Sequence, residues 1–149
     1  MKKFVTAKLH GITVTEADLH YHGSITLDPD HCEAAGILPM EFVEIWNKQS
    51  GARLSTYVIY GERGARQCVL NGAAARTCQK GDQLIICTSE YLVASEVTRI
   101  KPKVLTFTPE NEVSEILTYS AHPDDQGRLT FDILKDDEPQ DIPYREETF

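Results

Sequence analysis

Short segments rich in β-branched and aromatic residues, separated by turn residues, run through the first 108 residues of the chain. Apolar and polar residues alternate within them, which is the pattern of half-buried strands. Strands are predicted at residues 4–9, 24–27, 42–48, 54–60, 67–70, 83–88, 93–99 and 104–108. Many short strands at close spacing with few helices predict a small β-barrel, and so a mainly β fold.

Three connections between these strands have recognisable turn chemistry. Asp28 followed by Pro29 predicts the start of a short helix that ends at Gly36. Residues 49–52, which include a glycine, predict a hairpin turn. Residues 71–75 predict a turn that leads into one helical turn.

The pattern changes after Pro109. Residues 112–119 are predicted as a short helix with three apolar residues on one face. Leu129, Phe131 and Ile133 alternate with polar residues and predict a strand. The remainder from Asp136 is acidic and contains proline, which favours disorder.

Charge divides the chain at the same place. Residues 1–108 carry twelve Lys/Arg and eleven Asp/Glu, whereas residues 109–149 carry three and twelve, so nearly all of the net charge of -8 belongs to the second part. A single domain at residues 1–108 with an acidic extension at residues 109–149, partly ordered or disordered, is therefore predicted. The acidic extension and the lack of a basic cluster exclude nucleic acid as an expected partner.

The location and metal content are also constrained by composition. The longest apolar stretches fall far short of a membrane span, and the first residues lack a secretory signal, so we expect a cytoplasmic protein with no membrane contact. The four cysteines are scattered without a CxxC pair, which predicts free thiols and no metal site.

Gly23 is followed directly by Ser24, so a serine hydroxyl lies next to the carbonyl of the preceding glycine. A serine hydroxyl is a poor nucleophile, so attack on the preceding carbonyl needs a strained peptide and donors for the developing oxyanion. Gly23 suits this need, because glycine can occupy backbone angles forbidden to other residues and leaves its carbonyl accessible. Taken alone, however, this dipeptide is only a turn.

Four segments together carry a resemblance to a known family: Lys8-Leu9-His10, residues 17–25 around Gly23-Ser24, Arg53-Leu54-Ser55-Thr56-Tyr57 with Glu62-Arg63-Gly64, and Asn71-Gly72-Ala73-Ala74-Ala75. In this order and spacing they resemble the pyruvoyl-dependent aspartate 1-decarboxylase family, from about residue 3 to residue 112. The resemblance implies a double-psi β-barrel, a homotetramer and a proenzyme that cleaves itself into residues 1–23 and 24–149.

The resemblance also implies the cofactor and the reaction. Cleavage would convert Ser24 into a covalent pyruvoyl group, with no metal and no pyridoxal phosphate. Its ketone forms a Schiff base with an amino acid and accepts electrons when carbon dioxide leaves. The expected enzyme is a carboxy-lyase that converts L-aspartate to β-alanine and so supplies pantothenate and coenzyme A synthesis.

Individual roles follow from the same resemblance. Thr56 would assist self-cleavage, Arg53 and Lys8 would bind the substrate carboxylate, and Tyr57 would donate a proton to the product. The substrate and pyruvoyl environment would be formed by Asn71, Gly72, Ala73 and Ala74. Two further candidates, His10 and Tyr21, are equally consistent with structural polar residues.

Three other functions stay open at this point. Ser24 could be an amino-terminal nucleophile of a hydrolase, the substrate could be another acidic amino acid such as glutamate, or an unprocessed barrel could serve as a binding subunit. His22 stands where many family members carry glutamate. The extension could cover the active site, extend a subunit interface or recruit a maturation factor, and we expect a chain ending near Glu112 to keep both activities.

Overall fold

The computed structural model describes residues 1–136. Its strands are β1 (Lys2–Thr13), β2 (Glu16–Asp18), β3 (Ser24–Leu27), β4 (Phe42–Asn47), β5 (Arg53–Tyr60), β6 (Cys68–Asn71), β7 (Gln83–Leu92), β8 (Lys103–Phe107), β9 (Val113–Pro123) and β10 (Leu129–Lys135). One α-helix, α1 (Pro29–Ala35), and two 3-10 helices, Gly72–Arg76 and Ala94–Thr98, complete this part of the chain. The predicted mainly β fold is confirmed, although the short strand β2 was not predicted.

The strands join in the order β10-β9-β8-β1-β7-β4-β5-β3-β6-β2. Most neighbours are antiparallel, but β1 and β8, β3 and β5, and β2 and β6 are parallel pairs. Parallel neighbours require crossover connections, because the chain must return to the same end of the sheet. These crossings fit the double-psi barrel that the resemblance implies.

One apolar core holds the strands together. Leu9, Ile25, Ile45, Leu70 and Ile86 come from five different strands and are all fully buried in a single cluster. Burying each such side chain contributes about 1.5–3 kcal/mol. The core therefore fixes the strand ends on which the candidate site residues stand.

Helix α1 forms as the sequence predicts. The carboxylate of Asp28 accepts a hydrogen bond from the Asp30 backbone N–H at 2.8 Å and caps the helix, and Gly36 ends it. The same carboxylate accepts from the backbone N–H groups of Gly64 (3.1 Å) and Arg66 (2.8 Å). One buried side chain thus joins the helix to the connection between β5 and β6.

The strand predicted at residues 93–99 is wrong. Residues Ala94–Thr98 form a 3-10 helix, closed by hydrogen bonds from Glu96 N to Val93 O and from Arg99 N to Glu96 O. The reason lies in the topology: β7 and β8 lie on opposite sides of β1, so the chain must cross β1 between them. Residues Ala94–Thr98 form part of this crossover and not part of a strand.

The helix predicted at residues 112–119 is also wrong, because residues 113–119 belong to β9. Strand β9 pairs with β8, with Ile116 opposite Leu105 and Leu117 opposite Val104. The apolar spacing that suggested a helical face serves a strand with an irregular register near Phe107. Tertiary pairing with the open edge of β8 overrides the local pattern.

Strand β10 confirms the alternation at Leu129, Phe131 and Ile133, and it forms a hairpin with β9. The described part of the extension is therefore continuous with the sheet, and a domain boundary at residues 108 and 109 stays a prediction. The disorder predicted from Asp136 onward falls outside the described residues, apart from Asp136 itself. No helix within residues 1–136 has the length and apolar character needed to cross a bilayer.

Candidate active site

Ser24 is the first residue of β3, and its side chain is 1% exposed. The antiparallel register sets it opposite Asn71, the last residue of β6. The side-chain amide of Asn71 donates hydrogen bonds to Ser24 Oγ and to Thr26 Oγ1, both at 2.9 Å. Asn71 is itself buried, so the serine hydroxyl is held in a fixed position away from bulk water.

The backbone before Ser24 is packed against Gly72. A β carbon at position 72 would lie 2.9 Å from Gly23 Cα and 3.0 Å from both Gly23 N and Tyr21 O. Gly72 also has a φ of +65°, in the left-handed region that favours glycine. Position 72 therefore tolerates only glycine, which lets the residues before Ser24 approach β6 closely.

Gly23 does not use the conformational freedom of glycine in the structure. Its φ lies outside the left-handed region, and a β carbon there would meet no heavy atom within 4 Å. Gly72 is the residue that must be glycine, because the backbone of Tyr21 and Gly23 lies close to it. Gly23 itself is accessible, because it lines a cavity beside Ser24.

That cavity, which we call the Ser24 cavity, has a volume of about 270 Å³. The cavity lies beside the first part of β5. This part pairs with β4, whereas the pairing of β5 with β3 begins only at Val58. Its lining consists of Gly23, Leu54, Ser55, Thr56, Asn71, Ala73, Ala74 and Thr77. The structure therefore brings together Gly23, Thr56, Asn71 and the two small residues after Gly72.

A second group of candidates lies on the outer face of the sheet formed by β1, β7, β4 and β5. Strand residues alternate between faces, so Lys8 and His10 point away from the core residues Ala7 and Leu9. Arg53 and Tyr57 occupy the same outer face of β5, opposite Trp46 and Phe42 of β4. The structure thus groups the four residues by strand alternation.

Aromatic rings support the two β5 residues. The guanidinium of Arg53 lies over the Trp46 ring, with Cζ 5.0 Å from the ring centroid, which is a cation–π geometry. The Tyr57 ring packs against Phe42, with centroids 5.9 Å apart. Arg53 is exposed to solvent, whereas Tyr57 is partly buried.

Lys8 lies in a cleft of about 370 Å³, which we call the Lys8 cleft. Its walls are Lys3, Phe4, Val5, Glu44, Trp46, Cys87, Thr88, Ser89 and Tyr119. Among the described residues, no carboxylate forms an ion pair with Lys8. An ammonium without a counter-ion in a partly apolar cleft is suited to bind an anionic ligand.

The Ser24 cavity and the Lys8 cleft share no lining residue. Sequence analysis expected Lys8, Arg53 and Tyr57 to act at the same centre as Ser24, but none of the three lines the cavity within one protomer. Strand β5 lines the Ser24 cavity through Leu54, Ser55 and Thr56, and it contributes no residue to the Lys8 cleft. Within the described residues of one chain, the cavity beside Ser24 and the cleft that holds Lys8 are therefore separate.

The two remaining candidates differ in their surroundings. Burial, together with the positive charges of Lys8 and Lys48, lowers the pKa of His10 below its ordinary value. His10 is therefore neutral at physiological pH and adds no further charge to Lys8. Tyr21 is half exposed and its ring packs edge-on against His22, with centroids 5.6 Å apart.

Sequence reasoning missed several residues of these surfaces. Trp46 supports Arg53, Thr26 shares the amide of Asn71, and Thr77 lines the Ser24 cavity. The strand alternation of residues 42–47 could have placed Trp46 on the same face as Arg53, but the other two depend on contacts distant in sequence. Within the described residues, no group of three His, Cys, Asp or Glu side chains has metal-binding geometry.

Comparison with known proteins identifies similar sequences over nearly the whole chain. A family model described as aspartate decarboxylase matches residues 1–114. Aspartate 1-decarboxylase 1 of Mesorhizobium japonicum is 64% identical over 144 residues, which cover 96% of each chain. Aspartate 1-decarboxylase of Xanthobacter autotrophicus is 61% identical over 150 residues, or 99% of each chain.

A protein of the same name from Methylobacterium nodulans is 67% identical over 133 residues, which cover 89% of this chain and 88% of that protein. The likeness to these relatives therefore continues beyond residue 112, into the extension that contains β9 and β10.

Proposed function

The chain belongs to the aspartate decarboxylase family, and we propose that it is a pyruvoyl-dependent carboxy-lyase that converts L-aspartate to β-alanine and carbon dioxide. The product serves pantothenate and coenzyme A synthesis. The observation that carries the proposal is the buried Ser24 hydroxyl, which Asn71 holds beside the scissile glycine. A free amino acid is the small-molecule substrate.

Maturation begins with attack of Ser24 Oγ on the carbonyl carbon of Gly23. The Gly23–Ser24 amide bond breaks and an ester forms, with the proton of the hydroxyl passing to the released amine. Elimination across Ser24 then frees residues 1–23 and leaves a dehydroalanine, which water hydrolyses to a ketone with loss of ammonia. Residues 24–149 keep the resulting pyruvoyl group.

The residues around Ser24 fit this group. Residue 24 opens β3 next to the Ser24 cavity, so the new terminus would face that space once residues 1–23 are released. The small side chains of Ala73 and Ala74 leave room for a substrate. When formed, the ketone supplies the electron sink that the departing carbon dioxide requires.

Thr56 and Asn71 are proposed to assist the cleavage. Thr56 lines the cavity with Gly23, where its hydroxyl can donate to the oxyanion that develops on the glycine carbonyl. Asn71 orients the Ser24 oxygen by donating to it, which leaves the hydroxyl proton directed elsewhere. The closest acceptor of that proton in the structure is the backbone oxygen of His22, 3.4 Å away.

Arg53 and Lys8 are proposed to bind the substrate carboxylate, and Tyr57 is proposed to protonate the carbon from which carbon dioxide leaves. A guanidinium offers a planar fork for bidentate binding, and a tyrosine hydroxyl is a competent acid when correctly placed. We further propose that the protein is a homotetramer in which one copy supplies these groups to the Ser24 of another. Their separation from the Ser24 cavity within one chain supports this assembly.

A cytoplasmic location is part of the proposal. The four cysteines are free in the structure, which is the usual state in a reducing compartment. We propose that cleavage needs no maturation factor, and the proposal is supported by the origin of the serine hydroxyl, its orienting amide and the Gly23 carbonyl in one chain. Purified precursor is therefore expected to cleave without added protein.

Intact mass spectrometry of the purified protein tests the maturation. We expect two fragments that end at Gly23 and begin at residue 24, the second lighter by one ammonia than a chain beginning with serine. Ser24→Ala should give one uncleaved chain, and Asn71→Ala should cleave at least about tenfold more slowly because the hydroxyl loses its orienting donor. A cleaved chain that retains the serine amine would instead indicate a hydrolase with an amino-terminal nucleophile.

Carbon dioxide release tests the substrate. Aspartate should be decarboxylated in preference to glutamate, because the Ser24 cavity is small and one added methylene must be accommodated. A preference for glutamate would overturn the substrate assignment. Cleaved protein that is inactive on both amino acids would favour a binding subunit.

A further inference from the structure

The Lys8 cleft contains a carboxylate that would compete with an anionic ligand for Lys8 if it had no other partner. Glu44 lines the cleft, and the strand registers set Glu44 opposite Cys87, which is in turn opposite Lys8. All three side chains therefore lie in one row on the outer face of the sheet. A glutamate two strands away from a lysine on the same face is within reach of an ion pair.

Cys87 responds to both charges. Burial raises the pKa of its thiol, while the positive charge of Lys8 lowers that pKa and the negative charge of Glu44 raises it. The two opposite charges thus act on the same buried atom from either side. Without another partner, Glu44 would be drawn toward Lys8 and would reduce its attraction for a carboxylate ligand.

That other partner is Lys3. The ammonium of Lys3 donates to the Glu44 carboxylate and forms an ion pair with it. This hydrogen bond and the negative charge of Glu44 raise the pKa of Lys3 above its ordinary value. The positive charge of Lys3 therefore balances the negative charge of Glu44. Lys8 is left without a carboxylate partner among the described residues.

A β-bulge brings Lys3 to this face. Regular alternation would point Lys3 and Lys8 to opposite sides of β1, because their positions differ by five, an odd number. The register shift between Val5 and Ala7 leaves Thr6 as an extra residue, so that Lys3 opposite Tyr91 and Lys8 opposite Cys87 face the same way. The sheet thereby assembles a lysine, a glutamate and a second lysine around one cleft.

We propose that Lys3 is a positioning residue for substrate binding: it holds Glu44 in an ion pair and so keeps Lys8 available for the substrate carboxylate. The inference rests on the proposed role of Lys8 in binding that carboxylate. Lys3 need not touch the substrate. Its effect passes through Glu44 and is electrostatic.

The test compares the cleaved wild-type enzyme with Lys3→Met, Glu44→Gln and the double variant. At low ionic strength, Lys3→Met should raise KM for aspartate roughly three- to tenfold, the range expected for competition between partly exposed charges, with kcat changed by less than about twofold. Adding Glu44→Gln should restore KM, because the competing carboxylate is gone. Added salt should shrink the difference between Lys3→Met and wild type.

A matched control is available in the hairpin of β9 and β10. Lys135 and Glu115 form an ion pair at 3.2 Å, with side chains exposed to a similar degree as those of Lys3 and Glu44. Lys135→Met should leave KM unchanged. Mass spectrometry of each variant gives the cleaved fraction, so that kinetic constants refer to mature enzyme alone.

Failure of this inference can be distinguished from failure of the proposed function. If wild type releases carbon dioxide and Lys8→Met raises KM, but Lys3→Met does not, only the role of Lys3 is wrong. The same holds if the double variant remains as impaired as Lys3→Met. If wild type is inactive on aspartate, or Lys8→Met leaves KM unchanged, the proposed function of the cleft is itself overturned.

Discussion

Gly72 is the residue at which side-chain size matters most for the candidate site. It is 48 residues away in sequence from Ser24 and 49 from Gly23, yet a single added carbon there would contact the backbone of Gly23. The sequence motif includes Gly72 only as one small residue among several. The contact explains why it is glycine: the chain before Ser24 occupies the space that a side chain would fill.

Gly72→Ala is expected to lower the unfolding free energy by about 1–3 kcal/mol, since it combines a left-handed φ with a backbone clash. It should also slow self-cleavage, because Gly23 must move. Thermal unfolding and the rate of appearance of residues 24–149 measure the two effects. Gly23→Ala is the control for stability, because a β carbon there meets no neighbour, and equal destabilisation by both variants would contradict this account.

At the scale of elements, Asp28 shows how one side chain joins α1 to the loop before β6. Burial opposes ionisation of the carboxyl, but hydrogen bonds from the backbone N–H groups of Asp30, Arg66 and Gly64 outweigh it and lower the pKa of Asp28 below its ordinary value. The stabilisation is therefore present above the pKa of the unfolded chain, about 3.9. It is lost as the pH falls through the lower pKa of the folded state.

Asp28→Ala should destabilise the fold by about 2 kcal/mol at pH 7, as expected for loss of a cap and of charge-assisted hydrogen bonds. Denaturant unfolding at several pH values measures it. The difference from wild type should shrink below about pH 4 as the carboxyl is protonated. Asp30→Ala, which removes only an exposed ion pair with Arg63, should cost less than about 1 kcal/mol at any pH. A gap between Asp28→Ala and wild type that does not depend on pH would contradict the assignment.

The elements that sequence reasoning predicted correctly are those with local signals. Helix α1 has its cap and its terminal glycine within the element, and β3 has the predicted bounds. The two wrong predictions, at residues 93–99 and 112–119, concern segments whose conformation depends on strand order. Their local patterns fit either structure, and only the crossover over β1 and the open edge of β8 select between them.

At the scale of the whole molecule, the extension supports the sheet that carries Lys8. Strand β9 covers the edge of β8, where Val104 and Leu105 are buried, and β8 pairs with β1 beside Lys8. Tyr119 of β9 also lines the Lys8 cleft and packs against Phe131 of β10. Although this region is acidic, it contains a hairpin that is part of the folded sheet.

Sequence analysis predicts that a chain ending near Glu112 keeps both activities, and this stays a prediction. From the contacts of β9, we add that the truncation lowers the melting temperature by several degrees and raises KM, because it exposes the edge of β8 and removes Tyr119. A chain ending after Asp136 is the control and should match the full chain in both. A melting temperature unchanged by the longer deletion would show that β9 does not stabilise the sheet.

Sequence alone determined the mainly β class, the capped helix and the candidate residues from Lys8 to Ala74, because those features depend on local periodicity, turn chemistry and a spaced set of motifs. Tertiary structure decided which candidates meet. The hydrogen bond from Asn71 to Ser24 and the crowding at Gly72 depend on strand register, and the face that Lys3 occupies depends on one extra residue in β1. A shift of one residue in pairing reverses the side of a strand on which a side chain lies, and residue types in the sequence do not fix that shift.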